Sequence, residues 1–131
     1  MKDQINFFEQ KLEFETDPSD LKSALDAGEK IVVIDARKPE AYEKEHIPGA
    51  INLPHRNMNS DSTSGFNKDY LYVTYCDGIG CNASTKGALN MSKLGFRVKE
   101  LIGGLEWWKK DGYSTEGAKP GTDSKASCGC N

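Results

Sequence analysis

Cys76 is the residue of this chain whose setting is best suited to chemistry. It directly follows an aromatic and β-branched run that is typical of a strand, and it precedes a loop that contains Gly78 and Gly80. The glycines allow this loop to curl so that backbone N–H groups point inward, and a helix beginning near Asn82 adds its free N–H groups and positive dipole end. Such a setting stabilises a thiolate, the nucleophilic form of cysteine. We therefore predict that Cys76 is a nucleophile, because a cysteine buried as a small apolar residue fits a glycine loop less well.

Two basic residues near this loop extend the candidate substrate site. Lys86 falls on the first turns of the helix after the loop, and Arg37 follows an earlier strand that ends at Asp35. In an open α/β sheet, ligands bind at the carboxyl ends of the strands, so both residues are expected near the pocket, where they would draw in a small anion. The residues predicted to bind the substrate are Asp77, Gly78, Ile79, Gly80, Cys81, Asn82, Lys86 and Arg37. The loop residues among them are expected to bind it through their backbone N–H groups.

The three remaining cysteines allow several interpretations. Cys81 lies in the same loop, so it either resolves a modified Cys76 into an internal disulfide or fills the loop wall. Cys128 and Cys130 are either two exposed thiols or a relay that exchanges sulfur with Cys76. The spacings C-x(4)-C and C-x-C are a weak zinc pattern, so we predict no metal ion and no organic cofactor. Without a secretory leader pattern, all four cysteines are expected to be reduced thiols.

Length and charge narrow the classes of protein. The 131 residues are enough for one domain with its own core. With 17 basic and 20 acidic residues the net charge is −3, so no overall positive field is available to hold nucleic acid or an anionic membrane. No apolar run approaches the length needed to cross a bilayer. We predict a cytoplasmic protein that binds neither nucleic acid nor membrane.

Strand and helix patterns alternate along the chain. Asp17 and Pro18 are a typical N-cap and first residue of a helix, and the apolar run 31–34 predicts a strand covered on both faces. Further strands are predicted over 50–53, 70–75 and 98–102, and further helices near 39–45, 82–94 and 105–111. An N-terminal helix is expected, with a possible edge strand over 12–15. The prediction is an α/β domain over 1–117, with a mainly parallel sheet flanked by helices on both faces, and a flexible tail over 118–131.

Four segments in order resemble a known family. They are DAR at 35–37, HIPGAINLP at 46–54, Cys76 at a strand end, and LIGGLEWW at 101–108 followed by Gly112 and Tyr113. Together they look like a single-domain rhodanese. The resemblance implies a sulfurtransferase fold in which the loop cysteine takes up a sulfane sulfur as a persulfide. It also implies that Asp35 and His46 are structural residues that tie strands and loops together.

The loop departs from the usual pattern of this family. The usual loop is shorter, often Cys-Arg-x-Gly-x-Arg, whereas here no basic residue occurs between Cys76 and Lys86, and Asp77 would oppose a thiolate. Phosphatases and arsenate reductases of this fold use Cys-x(5)-Arg, but the corresponding position here is Asn82, so an oxyanion would lack its arginine clamp. An inactive, partner-binding or redox-sensing rhodanese-like module stays open as the alternative.

The function predicted from the sequence is covalent sulfur transfer. The Cys76 thiolate attacks the outer sulfur of thiosulfate, a polysulfide or a protein persulfide, and then passes that sulfur to a thiol or to cyanide. The expected partners are thus a small anionic sulfur donor or a protein persulfide, and a thiol acceptor.

Overall fold

The computed structural model describes residues 1–119. Residues 120–131, which include Cys128 and Cys130, lie outside the described part, so the relay suggested for these two cysteines stays a prediction. Within residues 1–119, no helix is long and apolar enough to cross a membrane.

A parallel sheet of five strands forms the centre of the domain. Its spatial order is β1-β5-β4-β2-β3, and every neighbouring pair is parallel. The strands are β1 (Glu15–Thr16), β2 (Ile31–Asp35), β3 (Ile51–Asn52), β4 (Leu71–Tyr75) and β5 (Arg97–Leu101). The parallel α/β fold predicted from the alternating patterns is confirmed, and β4 lies in the middle of the sheet, between β2 and β5.

Helices cover both faces of this sheet. They are α1 (Lys2–Phe14), α2 (Pro18–Asp26), α3 (Pro39–Lys44), α4 (Ala83–Lys93) and α5 (Gly104–Lys110), with a 3-10 helix over His55–Asn57. Successive residues of a strand point to opposite faces, and the core divides accordingly. Val33 packs on one face with Leu21 and Trp108, whereas Ile34 packs on the other with Met91. This division explains why β2 and β4 are apolar without alternation.

The N-terminal elements show one correction. The Asp17 side chain accepts a hydrogen bond from the backbone N–H of Asp20 at 2.8 Å, as its N-cap position predicted. The edge strand predicted over 12–15 is wrong for its first three residues, because α1 continues through Phe14 and β1 contains only Glu15 and Thr16. The helical spacing that begins at Ile5 continues to this point and outweighs the short β-like run.

The segment after α5 is attached to the end of α3. His46 and Glu116 exchange backbone hydrogen bonds of 2.8 and 2.9 Å, and the backbone N–H of Lys119 donates to Lys44 O at 2.8 Å. The His46 ring stacks on Tyr42 with 3.9 Å between ring centroids. His46 therefore joins two chain segments, which agrees with the structural role implied by the resemblance.

Candidate active site

The loop cysteine lies at the carboxyl edge of the sheet, next to its central strand. Cys76 immediately follows β4 and is 1% exposed. Arg37 follows the neighbouring strand β2 and is also buried. Residues 77–82 connect Cys76 to the N-terminus of α4, so the predicted arrangement of strand end, loop and helix start is present.

Polar groups surround the Cys76 sulfur. Its Sγ lies 3.3 Å from the carbonyl oxygen of Cys81, 3.8 Å from that of Gly78 and 3.7 Å from the hydroxyl oxygen of Ser84. Burial raises the pKa of the Cys76 thiol. Hydrogen bonds with Ser84 and with the Gly78 backbone lower it, and the charge of Asp77 raises it, with burial the largest effect. The resting sulfur is thus a thiol that donates to a loop carbonyl.

The loop rests directly against the start of α5. The backbone N–H groups of Leu105 and Glu106 donate to the carbonyl oxygens of Cys76 and Asp77 at 2.9 and 2.8 Å. Gly104 has a φ of +56°, and a Cβ at that position would overlap the carbonyl oxygen of Cys76. Only a glycine allows this close approach of backbone to backbone. The chain sequence indicated a turn at this glycine but not that the turn supports the cysteine loop.

Arg37 does not occupy the position predicted for a substrate-binding residue. Its guanidinium donates to Asp35 Oδ2 at 2.6 Å, to Asp77 Oδ1 at 2.7 Å and to the Glu45 carbonyl at 2.6 Å. Burial lowers the pKa of Arg37, but the hydrogen bond and charge of Asp35 and the hydrogen bond with Asp77 help to raise it by more, so the group stays charged. Arg37 therefore ties β2 to the cysteine loop from beneath, and the expectation that it draws in substrate is corrected: its charge is already engaged by two carboxylates.

The other predicted residues of the loop differ in exposure. Ile79, Gly80 and Asn82 are exposed, whereas Gly78 and Cys81 are half-buried. Cys76 is a free thiol. The role predicted for Cys81 in resolving a modified Cys76 stays a prediction.

Lys86 is exposed on the first turns of α4, as predicted. It belongs to a basic cluster with His55 and Arg56, which begin the 3-10 helix after β3. Burial lowers the pKa of His55, and the positive charges of Lys86 and Arg56 lower it further. The cluster lies at the same edge of the sheet as Cys76, because β3 and β4 both end there.

Two residues near the sulfur were missed by the sequence interpretation. Ser84 is buried, and its hydroxyl donates to Glu100 Oε2 at 2.7 Å. Thr85 donates to the same oxygen, also at 2.7 Å. Ser84 had a signal, since a serine on the first turn of a helix after the loop lies beside the sulfur. Glu100 had none, because the contact depends on the pairing of Thr74 in β4 with Glu100 in β5. Within the described residues, no group of His, Cys, Asp and Glu could hold a metal ion.

The fold and the site define a parallel α/β domain with a cysteine loop at its carboxyl edge. The family model for the Rhodanese-like domain matches residues 17–111, and the chain belongs to this family. A crystal structure of the BH2092 protein from Bacillus halodurans is 41% identical, with a TM-score of 0.87 over 93% of this chain and 90% of that one.

Two curated relatives indicate how this domain is used elsewhere. Thiosulfate sulfurtransferase 16, chloroplastic, from Arabidopsis thaliana is 33% identical over 94 residues, which are 63% of this chain and 78% of that protein. HTH-type transcriptional regulator Rv0324 from Mycobacterium tuberculosis is 32% identical over 95 residues, which are 72% of this chain and 41% of the regulator. The chain therefore spans less than half of one relative and most of the other, and relatives named for sulfur transfer and for regulation both occur within the family.

Proposed function

We propose that this chain is a sulfurtransferase that carries sulfane sulfur as a persulfide on Cys76. The observation that carries the proposal is a free thiol at the end of the central strand, inside a loop that leads into a helix N-terminus. Relatives named thiosulfate sulfurtransferases at 33% and 36% identity support it.

The reaction is a double displacement. Cys76 loses its proton to solvent, and its thiolate attacks the outer sulfur of the donor, so that a new S–S bond forms while the donor's own bond to that sulfur breaks. With thiosulfate the leaving group is sulfite; with a polysulfide or a protein persulfide it is a shorter polysulfide or a thiolate. The acceptor thiolate or cyanide then attacks the outer sulfur of the persulfide and releases the Cys76 thiolate.

Three parts of the site have separate roles in this proposal. The backbone hydrogen bonds of Gly78 and Ser84, which lower the pKa of Cys76, hold the anionic persulfide. Lys86, with its neighbour Arg56, attracts the anionic donor toward the loop. Arg37 acts from below by pairing with Asp77, so that this carboxylate opposes the thiolate less strongly. The cytoplasmic location expected from the sequence stays a prediction.

Mass spectrometry after incubation with thiosulfate or a polysulfide tests the proposal. We expect one added sulfur on the peptide that contains Cys76, and its release as thiocyanate when cyanide is added. Cys76→Ser should lose the adduct, whereas Ser92→Ala, an exposed hydroxyl at the far end of α4, is the matched control and should keep it. Failure of Cys76 to take up sulfur from either donor would contradict the proposal.

A partner-binding or sensing module is the second candidate. The burial of Cys76 and its raised pKa favour it, because both slow attack on an external donor. The same domain also occurs within a relative named a transcriptional regulator. In that case Cys76 would react with an oxidant but take up no sulfur from thiosulfate, so the two candidates give different masses for the Cys76 peptide.

A further inference from the structure

The Ser84 hydroxyl lies between two groups that compete for its one proton. Its oxygen is 2.7 Å from Glu100 Oε2 and 3.7 Å from Cys76 Sγ. A hydroxyl donates one hydrogen bond and accepts others. The shorter contact with a carboxylate takes the proton, because charge-assisted hydrogen bonds are the stronger ones. In the resting site Ser84 therefore donates to Glu100 and not to the sulfur.

When Cys76 loses its proton, its sulfur changes from a hydrogen-bond donor to an acceptor. As a thiol, Cys76 donates toward the Cys81 carbonyl, and the Gly78 carbonyl is also nearby. As a thiolate or persulfide, the sulfur is an acceptor and these two carbonyl oxygens repel it. The Ser84 hydroxyl is a side-chain donor already within reach, so a rotation about its Cβ–Oγ bond adds a hydrogen bond to those of the Ser84 and Gly78 backbone, without movement of the backbone.

Thr85 allows Glu100 to release Ser84. Its hydroxyl donates to the same Oε2 atom at 2.7 Å, so this oxygen keeps one hydrogen bond when Ser84 turns away. Glu100 is itself only half-buried. This change of partners therefore leaves no buried polar atom without a hydrogen bond. Such an unsatisfied atom is the usual cost of breaking a buried hydrogen bond.

We propose that Ser84 is a positioning residue whose hydroxyl donates to Glu100 while Cys76 is a thiol, and to the Cys76 sulfur when it is a thiolate or persulfide. Glu100 acts on the sulfur through Ser84 and holds the hydroxyl away in the resting state. The persulfide part of this inference rests on the proposed function, whereas the thiolate part does not.

The other charged groups around this chain of contacts are few. Asp77 faces Cys76 and is itself paired with Arg37. Glu100 is the register partner of Glu15 in β1, and Glu15 pairs with Lys11 of α1 at 3.0 Å. Among the described residues, no ion pair within 4.0 Å is formed by Glu100 itself, so its charge acts on Ser84 undiminished by a direct partner.

The pH dependence of Cys76 alkylation tests the inference without requiring sulfur transfer. The rate of iodoacetamide addition, followed by mass spectrometry on the Cys76 peptide, gives the apparent pKa of the thiol. Ser84→Ala should raise this pKa by about one unit, a tenfold loss of thiolate at a fixed pH below it, because a charge-assisted hydrogen bond is removed. Glu100→Gln should lower it, because Ser84 is no longer held away.

The double variant Ser84→Ala/Glu100→Gln shows whether Glu100 changes the pKa of Cys76 through Ser84 or only through its own charge. If Glu100 acts through Ser84, Glu100→Gln should have a much smaller effect in the Ser84→Ala background than alone. Equal shifts in both backgrounds, or no shift for Ser84→Ala, would overturn the proposal. Thr85→Val is a second, exposed variant, and it should raise the pKa because Glu100 then holds Ser84 more strongly; a lowered pKa would contradict the proposed release.

Persulfide formation is measured separately on the same variants. Coupled shifts in thiol pKa together with no sulfur uptake from thiosulfate or polysulfide would reject the proposed function and the persulfide part of the inference, and would support its thiolate part. Sulfur uptake with uncoupled shifts would support the proposed function and reject the role of Ser84.

Discussion

The carboxylate of Asp77, directly after Cys76, is paired with a buried cation. Asp77 accepts from Arg37 at 2.7 Å, and the same guanidinium is held by Asp35. The cation is therefore buried and engaged by two carboxylates, and under the proposed function the attraction of an anionic donor falls to exposed groups at the surface. Lys86 is the exposed cation on the first turns of the helix that begins at the loop.

Replacement of Lys86 tests this division of roles. Lys86→Ala should raise the KM for thiosulfate about two- to fivefold at low salt, which corresponds to ~0.5–1 kcal/mol for an exposed charge, and the effect should fall as salt is added. Lys93→Ala is the matched control, since Lys93 is an exposed lysine at the opposite end of α4. Steady-state kinetics at two ionic strengths checks the prediction. Equal changes in KM for both variants would show that the position of Lys86 near the loop does not affect donor binding.

The position of Arg37 could be predicted from the sequence, but its burial and its bonding partners could not. Its position after β2 was readable from the sequence, and so was its closeness to the loop. Its burial was not, because Asp77 is 40 residues away and meets Arg37 only in the fold, and the bond to the Glu45 carbonyl depends on how the chain returns after α3. A basic residue near a predicted anion site is therefore ambiguous until its acidic neighbours are located.

The start of α5 is the element that supports the cysteine loop. Two backbone hydrogen bonds join them, and Gly104 allows the contact through both its missing Cβ and its positive φ. Strands and helices followed from local patterns: the cap at Asp17 and the apolar runs of β2 and β4 gave the correct elements. The contact between α5 and the loop did not follow, because nothing local distinguishes a supporting glycine turn from an ordinary one.

Two glycine variants separate backbone strain from steric overlap. Gly28→Ala, at a φ of +75° with nothing within 4 Å of the added Cβ, should lower the free energy of unfolding by ~1–2 kcal/mol. Gly104→Ala adds overlap with the Cys76 carbonyl to a similar strain, so a further ~1–3 kcal/mol is expected. Denaturant titration measures both. Sulfur uptake by Cys76 should fall in Gly104→Ala but not in Gly28→Ala, and equal destabilisation of the two would contradict the steric argument.

At the scale of the whole molecule, the polar centre of the fold lies directly beneath the site. Tyr75 is fully buried, and its hydroxyl donates to Asp35 Oδ2 at 2.9 Å and accepts from the backbone N–H of Ile47 at 3.1 Å. It thereby connects β4, β2 and the segment before β3. Burial raises the pKa of Tyr75 well above its ordinary value, and the charge of Asp35 raises it further.

This buried phenol predicts a loss of stability in alkali. Above pH ~10 the unfolded chain releases the Tyr75 proton while the folded chain keeps it, so the free energy of unfolding is unaffected below that pH and falls above it. Tyr75→Phe should be less stable at neutral pH, because the Ile47 N–H loses its acceptor, but its stability should fall less steeply between pH ~9 and ~11. Tyr72→Phe, whose phenol pKa is raised to a lesser degree, is the control and should change the slope less. Urea titrations across this range give both slopes, and an unchanged slope for Tyr75→Phe would refute the argument.

The hydrogen bonds between α5 and the loop also allow the opening of the loop to be measured in the unmodified protein. The amide protons of Leu105 and Glu106 are bonded to the two carbonyls that flank the start of the loop, so solvent reaches these protons only when the loop and α5 separate. Their exchange with deuterium therefore measures how often the loop opens, in the unlabelled protein and before any donor is added.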